Sequence, residues 1–498
     1  MKSNLNREIR TFGLPTFDVE KVLSTALKNG GALAELFFEK TASTRIVYEG
    51  GRIDRIMDGT DRGVGLRILF DGRSVYGYTT DLTEASLLTL AETLSEAVES
   101  KAGPRNLKGL EWRKGTQSVT EISQYRIQRS PREADLSTKI ELAKRAEQAA
   151  RTELPDAKQV TAILLDSLRN LLVLNSDGLI VTDSKTYLQA MVQVVGAKGT
   201  RFETAYESDG GYVGLEFFDR VTPESIGQKA ARRVSVLLKA KPAPAGTMPV
   251  VISADAGGTM IHEAVGHGLE ADLACNGLSV YGGKLGQTVA SSLISVIDDG
   301  TLPEKRGSYS FDDEGTQSKK NVLIENGVLK GYLVDRLSAM KFDLMATGNG
   351  RRESFRHKPI VRMTNTYIAP GKDDPQSILK STPWGIYVKA MGGGQVNTVT
   401  GDFVFAVTEG YLIHDGKLGD PIRGATLVGN GPKVLSTVDK VGSDLGFSTG
   451  TCGKDGQGAP VTDAQPTLRI PELTVGGEVP VGTYWGGGGS VGSTRPRS

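Results

Sequence analysis

Histidine, a frequent metal-binding and catalytic residue, is scarce in this chain and confined to one stretch of it. The 498 residues include four histidines, all between positions 262 and 414. Two of them, His262 and His267, bracket Glu263 in the run HEAVGHGLEAD, which follows a short apolar strand, MPVVIS. Two imidazoles can hold Zn²⁺, and a neighbouring carboxylate can serve as general base for a metal-bound water. The run therefore predicts a zinc site with Glu263 as the base.

The spacing of the two histidines demands a distorted helix. Side chains four residues apart on an α-helix diverge by about 40°, whereas side chains five residues apart diverge by about 140°. His262 and His267 are five apart, so one metal can reach both only through a π-type turn or a helix end near Gly266. Gly266 and Gly268 flank His267 and favour such a distortion. A regular helix with two incidental histidines is the alternative.

A catalytic zinc needs a third protein ligand and an open coordination position. Cys452 lies in the glycine-rich run GTCGKDGQG, where Lys454 is expected to lower the pKa of the thiol. Glu270, three residues after His267, could bind the metal or instead orient the imidazole. Residue types alone place Cys452 first. The other candidates have ordinary interpretations. Cys275 is expected to be a packed thiol, His357 part of a basic segment, and His414 a surface residue of a hairpin.

The elements that must position these residues differ between the two halves of the chain. Apolar residues at helical spacing predict four helices in the first half, and Thr83 is expected to cap the second of them. The predicted helices cover 18–29, 83–101, 136–153 and 223–240. Strand-like runs that flank tight-turn residues predict antiparallel hairpins. These turns are Gly50-Gly51, Asp71-Gly72, Asp177-Gly178, Asn326-Gly327 and Asp415-Gly416.

Consecutive hairpins favour antiparallel sheets over parallel crossovers, so the predicted fold class is α+β. Residues 1–240 are expected to form an N-terminal α+β domain of helices and antiparallel hairpins. The proline- and alanine-rich residues 241–249 indicate a linker or crossover. Residues 250–477 are expected to form a β-rich domain that carries the metal-binding helix, and the glycine-rich residues 478–498 a disordered tail.

Composition excludes several classes of protein. Lys and Arg total 59 and Asp and Glu total 58, so no strong electrostatic attraction to nucleic acid is expected. No apolar run approaches the roughly 18 residues that cross a membrane. The first residues, MKSNLNREIRTFG, lack the apolar segment of a secretory signal. Two cysteines, Cys275 and Cys452, suit a reducing cytoplasm better than a disulfide framework.

The two most distinctive runs together resemble a known family. HEAVGHGLEAD at 262–272 with CGKDGQGAPV at 452–461 is similar to the TldD subfamily of the TldD/PmbA (TldE) zinc metallopeptidases. The arginine- and glycine-containing strand at 62–67 also fits, as does the glycine triplet that precedes QVNTVTGDFVF within 392–405. The similarity extends from about residue 15 to about residue 477, which leaves only the glycine-rich end outside it.

The resemblance implies zinc ligands His262, His267 and Cys452, with Glu263 as the general base. It also implies an α+β N-terminal domain and a barrel-like, β-rich C-terminal domain. Members of the family are cytoplasmic and hydrolyse unfolded or leader-type peptides, and they often act as a heterodimer with a TldE-like chain. A homodimer is the other arrangement considered for this chain.

Two other functions remain open from the residues alone. A different zinc amidase, similar to a deformylase, could use the same two histidines, cysteine and glutamate, but would not favour long unfolded peptides. A non-enzymatic regulator or scaffold with a structural metal is the second alternative. The intact Glu263 argues against it, because a structural zinc site has no need of a general base.

Overall fold

The computed structural model of the chain describes residues 9–10, 16–115 and 127–485. These residues form an α+β structure whose C-terminal half is rich in strands, so the predicted fold class is confirmed. Within the described ranges, no helix combines the length and the apolar character that a membrane crossing requires. Residues 486–498, the larger part of the predicted tail, lie outside the described residues.

One large sheet forms the framework of the N-terminal half. Its strands are β1 Leu33–Glu49, β2 Arg52–Phe70, β3 Arg73–Thr79, β4 Arg113–Lys114, β5 Gln159–Asn175, β6 Leu179–Lys198 and β7 Arg201–Gly211. The order is β3-β2-β1-β5-β6, with β7 and the short β4 both paired to β6. The predicted turns at Gly50-Gly51, Asp71-Gly72 and Asp177-Gly178 connect antiparallel neighbours, which confirms these hairpins.

Helices near all four predicted ranges cover this sheet. They are α1 Val19–Ala26, α2 Glu84–Glu96, α3 Leu136–Glu153 and α4 Pro223–Leu237. Asp18, Thr83 and Thr222 cap three of them by accepting a hydrogen bond from the first turn. α1 and α2 pack over one end of the sheet, and α3 and α4 pack over the other. The N-terminal half thus consists of two helix–three-strand–helix units that meet where β1 pairs with β5.

A closed five-stranded barrel lies at the centre of the C-terminal half, as the family resemblance implies. Its strands are β9 Pro244–Ile252, β16 Trp384–Val396, β17 Asp402–His414, β19 Thr426–Asn430 and β23 Leu468–Gly476. They follow the order β16-β9-β23-β19-β17, and pairing of β16 with β17 closes the barrel. Asp415-Gly416 connects β17 to β18, Lys417–Arg423, as predicted.

A second sheet of six strands packs beside the barrel in the order β12-β11-β10-β15-β22-β21. Its strands are β10 Val296–Asp299, β11 Lys320–Glu325, β12 Val328–Leu329, β15 Asn365–Ile368, β21 Gly446–Lys454 and β22 Gln457–Gln465. The shorter strands are β8 Lys241–Pro242, β13 Gly350–Arg351, β14 Ile360–Val361, β18 Lys417–Arg423, β20 Lys440–Val441 and β24 Val479–Pro480. The short helices are α5 Thr259–Ile261, α6 Ala271–Ala274, α7 Arg336–Phe342, α8 Pro375–Lys380 and α9 Gly431–Thr437.

Residues 241–249, predicted as a linker or crossover, lead from α4 into a strand of the barrel. Most of this segment belongs to β9, which pairs in parallel with β16 and antiparallel with β23. Proline normally signals a break because it has no N–H to donate. Here the register of β23 shifts between Ile470 and Leu473, opposite Pro249, so the missing donor falls at an irregularity in the ladder.

The predicted tail also differs from the structure at its beginning. β24 pairs with β9, and the hydroxyl of Tyr484 donates to the Pro242 carbonyl at 2.5 Å. The indole of Trp485 donates to the Ile413 carbonyl at 2.9 Å. The packed part of the chain therefore reaches residue 485.

The segment at residues 350–358, which begins with β13 and continues as a loop, holds the two halves together. The ring of Phe355 packs on Gly63 so closely that a Cβ at Gly63 would lie 2.2 Å from it. The Phe355 backbone N–H donates to Glu39 at 2.7 Å, and its carbonyl accepts from the hydroxyl of Tyr76. The glycine-containing strand noted in the sequence is therefore a docking surface for this loop.

Buried ion pairs strengthen the same contact between the two halves. Glu35 of β1 contacts Arg352 at 2.6 Å and Arg67 at 3.3 Å, and Arg67 contacts Glu314 at 2.6 Å. All four side chains are at most 1% exposed. Removal of one member of such a cluster leaves an uncompensated buried charge, which costs about 3–5 kcal/mol.

Replacement of Gly63 by valine tests this docking. Gly63→Val is expected to lower the free energy of unfolding by about 1–3 kcal/mol, because the new side chain overlaps the Phe355 ring. Denaturant unfolding provides the measurement. Gly59→Val is the matched control, since Gly59 lies on the same strand with open space around it. Equal stability of the two variants would contradict the docking role of Gly63.

Candidate metal centre

The helix that carries the two histidines is irregular in the way that their spacing demands. It begins as α5, continues as a π-helical turn over His262–Gly266 and ends as a 3₁₀ turn over His267–Leu269. In the π turn the backbone N–H of His267 donates to the carbonyl of His262, five residues earlier. The two imidazoles therefore lie on the same side of the helix, edge to face, with ring centroids 5.1 Å apart. The predicted distortion is confirmed.

The glycines around His267 serve packing rather than backbone freedom. Gly266 has an ordinary right-handed helical conformation, with φ at −54°. A Cβ at Gly266 would lie 2.0 Å from the sulfur of Met363, and a Cβ at Gly268 would lie 2.8 Å from the ring of Tyr281. The sequence predicts that these glycines ease a backbone distortion. In the structure they instead allow Met363 and Tyr281 to pack closely against the helix.

Cys452 reaches the same place from β21. Its Sγ lies 3.3 Å from Nε2 of His267. The potential ligand atoms of His262, His267 and Cys452 all lie within 4.8 Å of one another, and all three residues are buried. The structure thus brings together the three residues that the sequence analysis selected.

A carboxylate contacts the outer nitrogen of each imidazole. Asp463 of β22 lies 2.7 Å from Nδ1 of His262, and Glu270 lies 2.9 Å from Nδ1 of His267. Such contacts fix the tautomer that leaves Nε2 free for a metal. Glu270 therefore fits the orienting role of its two predicted alternatives. Asp463 was missed, because only the pairing of β21 with β22 brings it near a histidine 201 positions away.

Lys454 has a different role from the one predicted. Its ammonium contacts Glu270 at 3.0 Å and Asp272 at 2.6 Å, rather than the Cys452 thiol. Burial alone would raise the pKa of Glu270, but Lys454 and His267 outweigh it and lower that pKa to about 2. Lys454 thus keeps Glu270 ionised, and Glu270 in turn holds His267.

Three arginines, of which Arg351 and Arg362 are buried and Arg306 is half-buried, hold the main chain of the β21–β22 hairpin. Arg362 donates to the carbonyl of Cys452 and, at 3.0 Å, to that of Gln457. The other two bond the hairpin on either side: Arg306 donates to Gly450 at 3.2 Å and Arg351 to Pro460 at 2.7 Å. These bonds fix the backbone on which the cysteine depends.

The remaining candidates lie elsewhere. His357 contacts Ser354 at 3.1 Å in the loop that joins the two halves. The ring of His414 lies 5.9 Å from Trp485 at the end of β17. Cys275 is half-buried at the end of α6 and packs against the C-terminal core. The structure places none of the three with the ligand atoms of the triad.

A cleft of about 420 Å³ opens beside the triad. Glu263, His262 and Cys452 line it, together with parts of β7, β16 and β21. Glu263 is half-buried, and burial raises its pKa above the ordinary value. Gly392 and Gly393 of β16 also line the cleft, and Gly393 has open space where a side chain would stand. A carboxylate that can take and release a proton thus faces the same space as His262 and Cys452.

Charge is distributed unusually within the triad. Burial opposes ionisation of Cys452, but His262 and His267 outweigh it and lower the pKa of the thiol to about 5. Burial likewise opposes protonation of His267, but Glu270 and Cys452 raise its pKa to about 9. Metal binding must displace such protons, because only thiolate and neutral imidazole act as ligands.

The thiol pKa gives a direct test. In metal-free protein with Cys275→Ser, thiolate absorbance is expected to appear with a midpoint near pH 5 and to persist above it, because the pKa of Cys452 is lowered to about 5. Ultraviolet titration measures this signal, and the additional change Cys452→Ser is expected to abolish it. A midpoint near the ordinary value of about 8.5 would show that the histidines do not stabilise the thiolate.

Comparison with known proteins identifies the family. Models described as PmbA/TldA metallopeptidase domain 1, central domain and C-terminal domain match residues 34–101, 129–238 and 245–477. The Metalloprotease TldD homolog of Haemophilus influenzae is 37% identical over 451 residues, which cover 89% of this chain and 92% of that protein. The chain belongs to the TldD subfamily of the PmbA/TldD metallopeptidases. The resemblance noted in the sequence is thereby confirmed.

Other members extend the comparison. The Zinc metalloprotease TldD homolog of Saccharolobus solfataricus is 31% identical over 264 residues, or 53% of this chain and 59% of that protein. The solved structure of TldE from Thermococcus kodakarensis superposes with a TM-score of 0.72 at 19% identity, covering 92% of this chain and 99% of that one. This similarity shows that the TldD-type chain and TldE share one fold.

Proposed function

We propose that this TldD-type chain is a zinc-dependent peptidase that hydrolyses unfolded or leader-type peptides. The observation that supports the proposal most directly is the triad of His262, His267 and Cys452, with ligand atoms within 4.8 Å, beside a cleft that also holds Glu263. A scaffold with a structural metal would need neither an open cleft nor a glutamate in it.

The donor set fits zinc. Two imidazole nitrogens and one thiolate sulfur are typical zinc ligands, and three protein ligands leave one position open, as catalytic zinc sites require. The orienting carboxylates Asp463 and Glu270 complete the arrangement expected around metal-binding histidines. The name of the Saccharolobus relative also specifies zinc.

Peptide hydrolysis follows from these groups. Zinc held by the triad supplies Lewis-acid polarisation of the scissile carbonyl and lowers the pKa of water toward about 7. Glu263 removes the proton from the attacking water and delivers it to the leaving amine. Burial, which raises the pKa of Glu263, suits it to both steps, because a base that must also return its proton works best near the ambient pH.

Open strand edges explain how a peptide without a defined sequence is held. β7 and β21 are each the outermost strand of their sheet, and residues of both line the cleft. An extended peptide can pair with such an edge through main-chain hydrogen bonds, which make little demand on side chains. The absence of a side chain at Gly393 allows the peptide to approach β16 closely.

The assembly and location are also part of the proposal. A TldE-like partner, or a second copy of this chain, completes the working enzyme in the cytoplasm. The shared fold with TldE from Thermococcus kodakarensis supports a pairing of related chains. The two free cysteines, Cys275 and Cys452, suit a reducing compartment.

Glu263→Gln tests the proposed base. The rate of cleavage of unstructured peptides is expected to fall by about 10²–10⁴-fold, the usual contribution of a general base, while the zinc content stays unchanged. Mass spectrometry of peptide digests with metal analysis provides both measurements, and Glu325→Gln on the exposed surface serves as control. Unchanged cleavage by the zinc-loaded Glu263→Gln variant would remove Glu263 from the mechanism. Equal cleavage of short and long peptides would instead favour a deformylase-like amidase.

The zinc ligands are tested by metal affinity. Asp463→Asn is expected to weaken zinc binding by about 10–100-fold through loss of the carboxylate that holds His262. Cys452→Ser, which removes a ligand, is expected to weaken it more. Competition with a chromogenic chelator measures both, and Asp439→Asn, in an exposed ion pair with Arg469, is the control. Full zinc affinity in Cys452→Ser would assign the third ligand position to another residue.

A further inference from the structure

A second cavity adjoins the metal cleft. It has a volume of about 600 Å³ and lies between β7 and α4 of the N-terminal half and β17 and β21 of the C-terminal half. Both cavities are lined by Glu207, Ser208, Arg233, Asp255 and Thr449. These five residues form what is called here the junction. A peptide held in the metal cleft can leave through the junction into the second cavity.

Arg233 is fixed at the junction with donors to spare. It projects from α4 and donates to Glu409 at 3.1 Å and to the carbonyl of Tyr206, on the edge strand β7, at 2.9 Å. Its third contact is an ion pair with Glu207 at 2.9 Å. A guanidinium carries five N–H donors. The two hydrogen bonds of Arg233 therefore leave three N–H donors for a ligand.

Two other polar atoms at the junction lack hydrogen-bond partners. Oγ1 of Thr449 and Oε2 of Glu207 are buried, and neither takes part in a hydrogen bond within the described residues. Oε2 of Glu207 is the atom that forms the ion pair with Arg233, but no N–H is directed at it. Buried polar atoms are rarely left unpaired in native proteins. Their position between two cavities points to a ligand that supplies the missing bonds.

We propose that the junction binds the main chain of the peptide substrate, and that the second cavity receives the residues beyond it. The inference rests on the proposed peptidase function. Each peptide unit carries one N–H donor and one carbonyl acceptor. Arg233 can donate to the carbonyl, and Thr449 and Glu207 can accept from the N–H. Such recognition selects substrates by the length of extended chain that they offer, not by their side chains.

Thr449→Val is the cleanest test, because valine keeps the shape of the side chain and removes only a hydroxyl without an internal partner. Stability is expected to stay the same or rise, since an unpaired buried polar group is lost. The probe is a series of fluorescein-labelled unstructured peptides of about four to about twelve residues, each residue extending about 3.3 Å. Fluorescence anisotropy measures their binding to full-length, zinc-loaded Glu263→Gln protein, with and without Thr449→Val.

Affinity is expected to rise in a step once the peptide is long enough to cross the junction. Thr449→Val is expected to lower the affinity for the longer peptides by about tenfold, the loss of one hydrogen bond to a ligand, and to leave the shorter ones unaffected. Arg233→Met is expected to do the same, with partial rescue in Arg233→Lys. Thermal unfolding shows whether the Arg233 variants fold. Lys239→Met, an exposed cation just beyond α4, is the control.

Unchanged affinity of long peptides in Thr449→Val, or equal losses for short and long peptides, would overturn the assignment of the junction. The proposed function has its own test. It is wrong if the zinc-loaded wild-type chain with its partner cleaves no peptide. A length step that depends on Thr449 in that case would leave the junction as a peptide-binding site without hydrolysis.

Discussion

The contact between Cys452 and His267 joins residues 185 positions apart, and much of the C-terminal half is arranged to maintain it. A thiolate beside imidazoles in a buried place is stable only if the surrounding charges are balanced. Asp463 and Glu270 balance the imidazoles, and Lys454 balances Glu270. The sign of the charge therefore alternates outward from the Cys452 thiolate, through the imidazoles and the two carboxylates, to the Lys454 ammonium.

Arginine side chains hold the strand that carries Cys452. An outermost strand has a row of unpaired main-chain groups along one edge. Three arginines donate hydrogen bonds to carbonyl oxygens of the β21–β22 hairpin. These bonds position Cys452, and among the described residues β21 pairs with no strand other than β22. The same strand thus carries Cys452 and an open edge.

Several features of the site followed from local chemistry in the sequence. The residue types predicted that His262, His267 and Cys452 lie together. The five-residue spacing predicted the π turn, because helix geometry permits few ways to bring His262 and His267 together. The hairpins followed from their turn residues for a similar local reason. The orienting role of Glu270 was one of two alternatives, and its proximity to His267 in sequence made it visible.

Features that depend on tertiary packing did not follow. Asp463 carries no local signal, since its role arises from strand pairing. Lys454 was assigned to the thiol because the two are neighbours in sequence, but the strand directs its ammonium to Glu270 and Asp272. The prolines in 241–249 suggested a linker or crossover. The register shift that accommodates Pro249 within a strand lies on β23, so it leaves no signal in this segment. Nothing in the sequence indicated the close contact of Gly266 with Met363 either.

The loop at 350–358 links the N-terminal sheet to the hairpin that carries Cys452. On one side Arg352 and Phe355 bond to Glu35 and Glu39 of β1. On the other, Glu353 accepts from the Gly458 backbone N–H at 2.5 Å. The C-terminal half taken alone would leave a buried guanidinium and an aromatic ring without their partners. The two halves consequently depend on each other for these contacts, and a chimaera with the N-terminal sheet of a distant relative would have to carry this loop from the same relative.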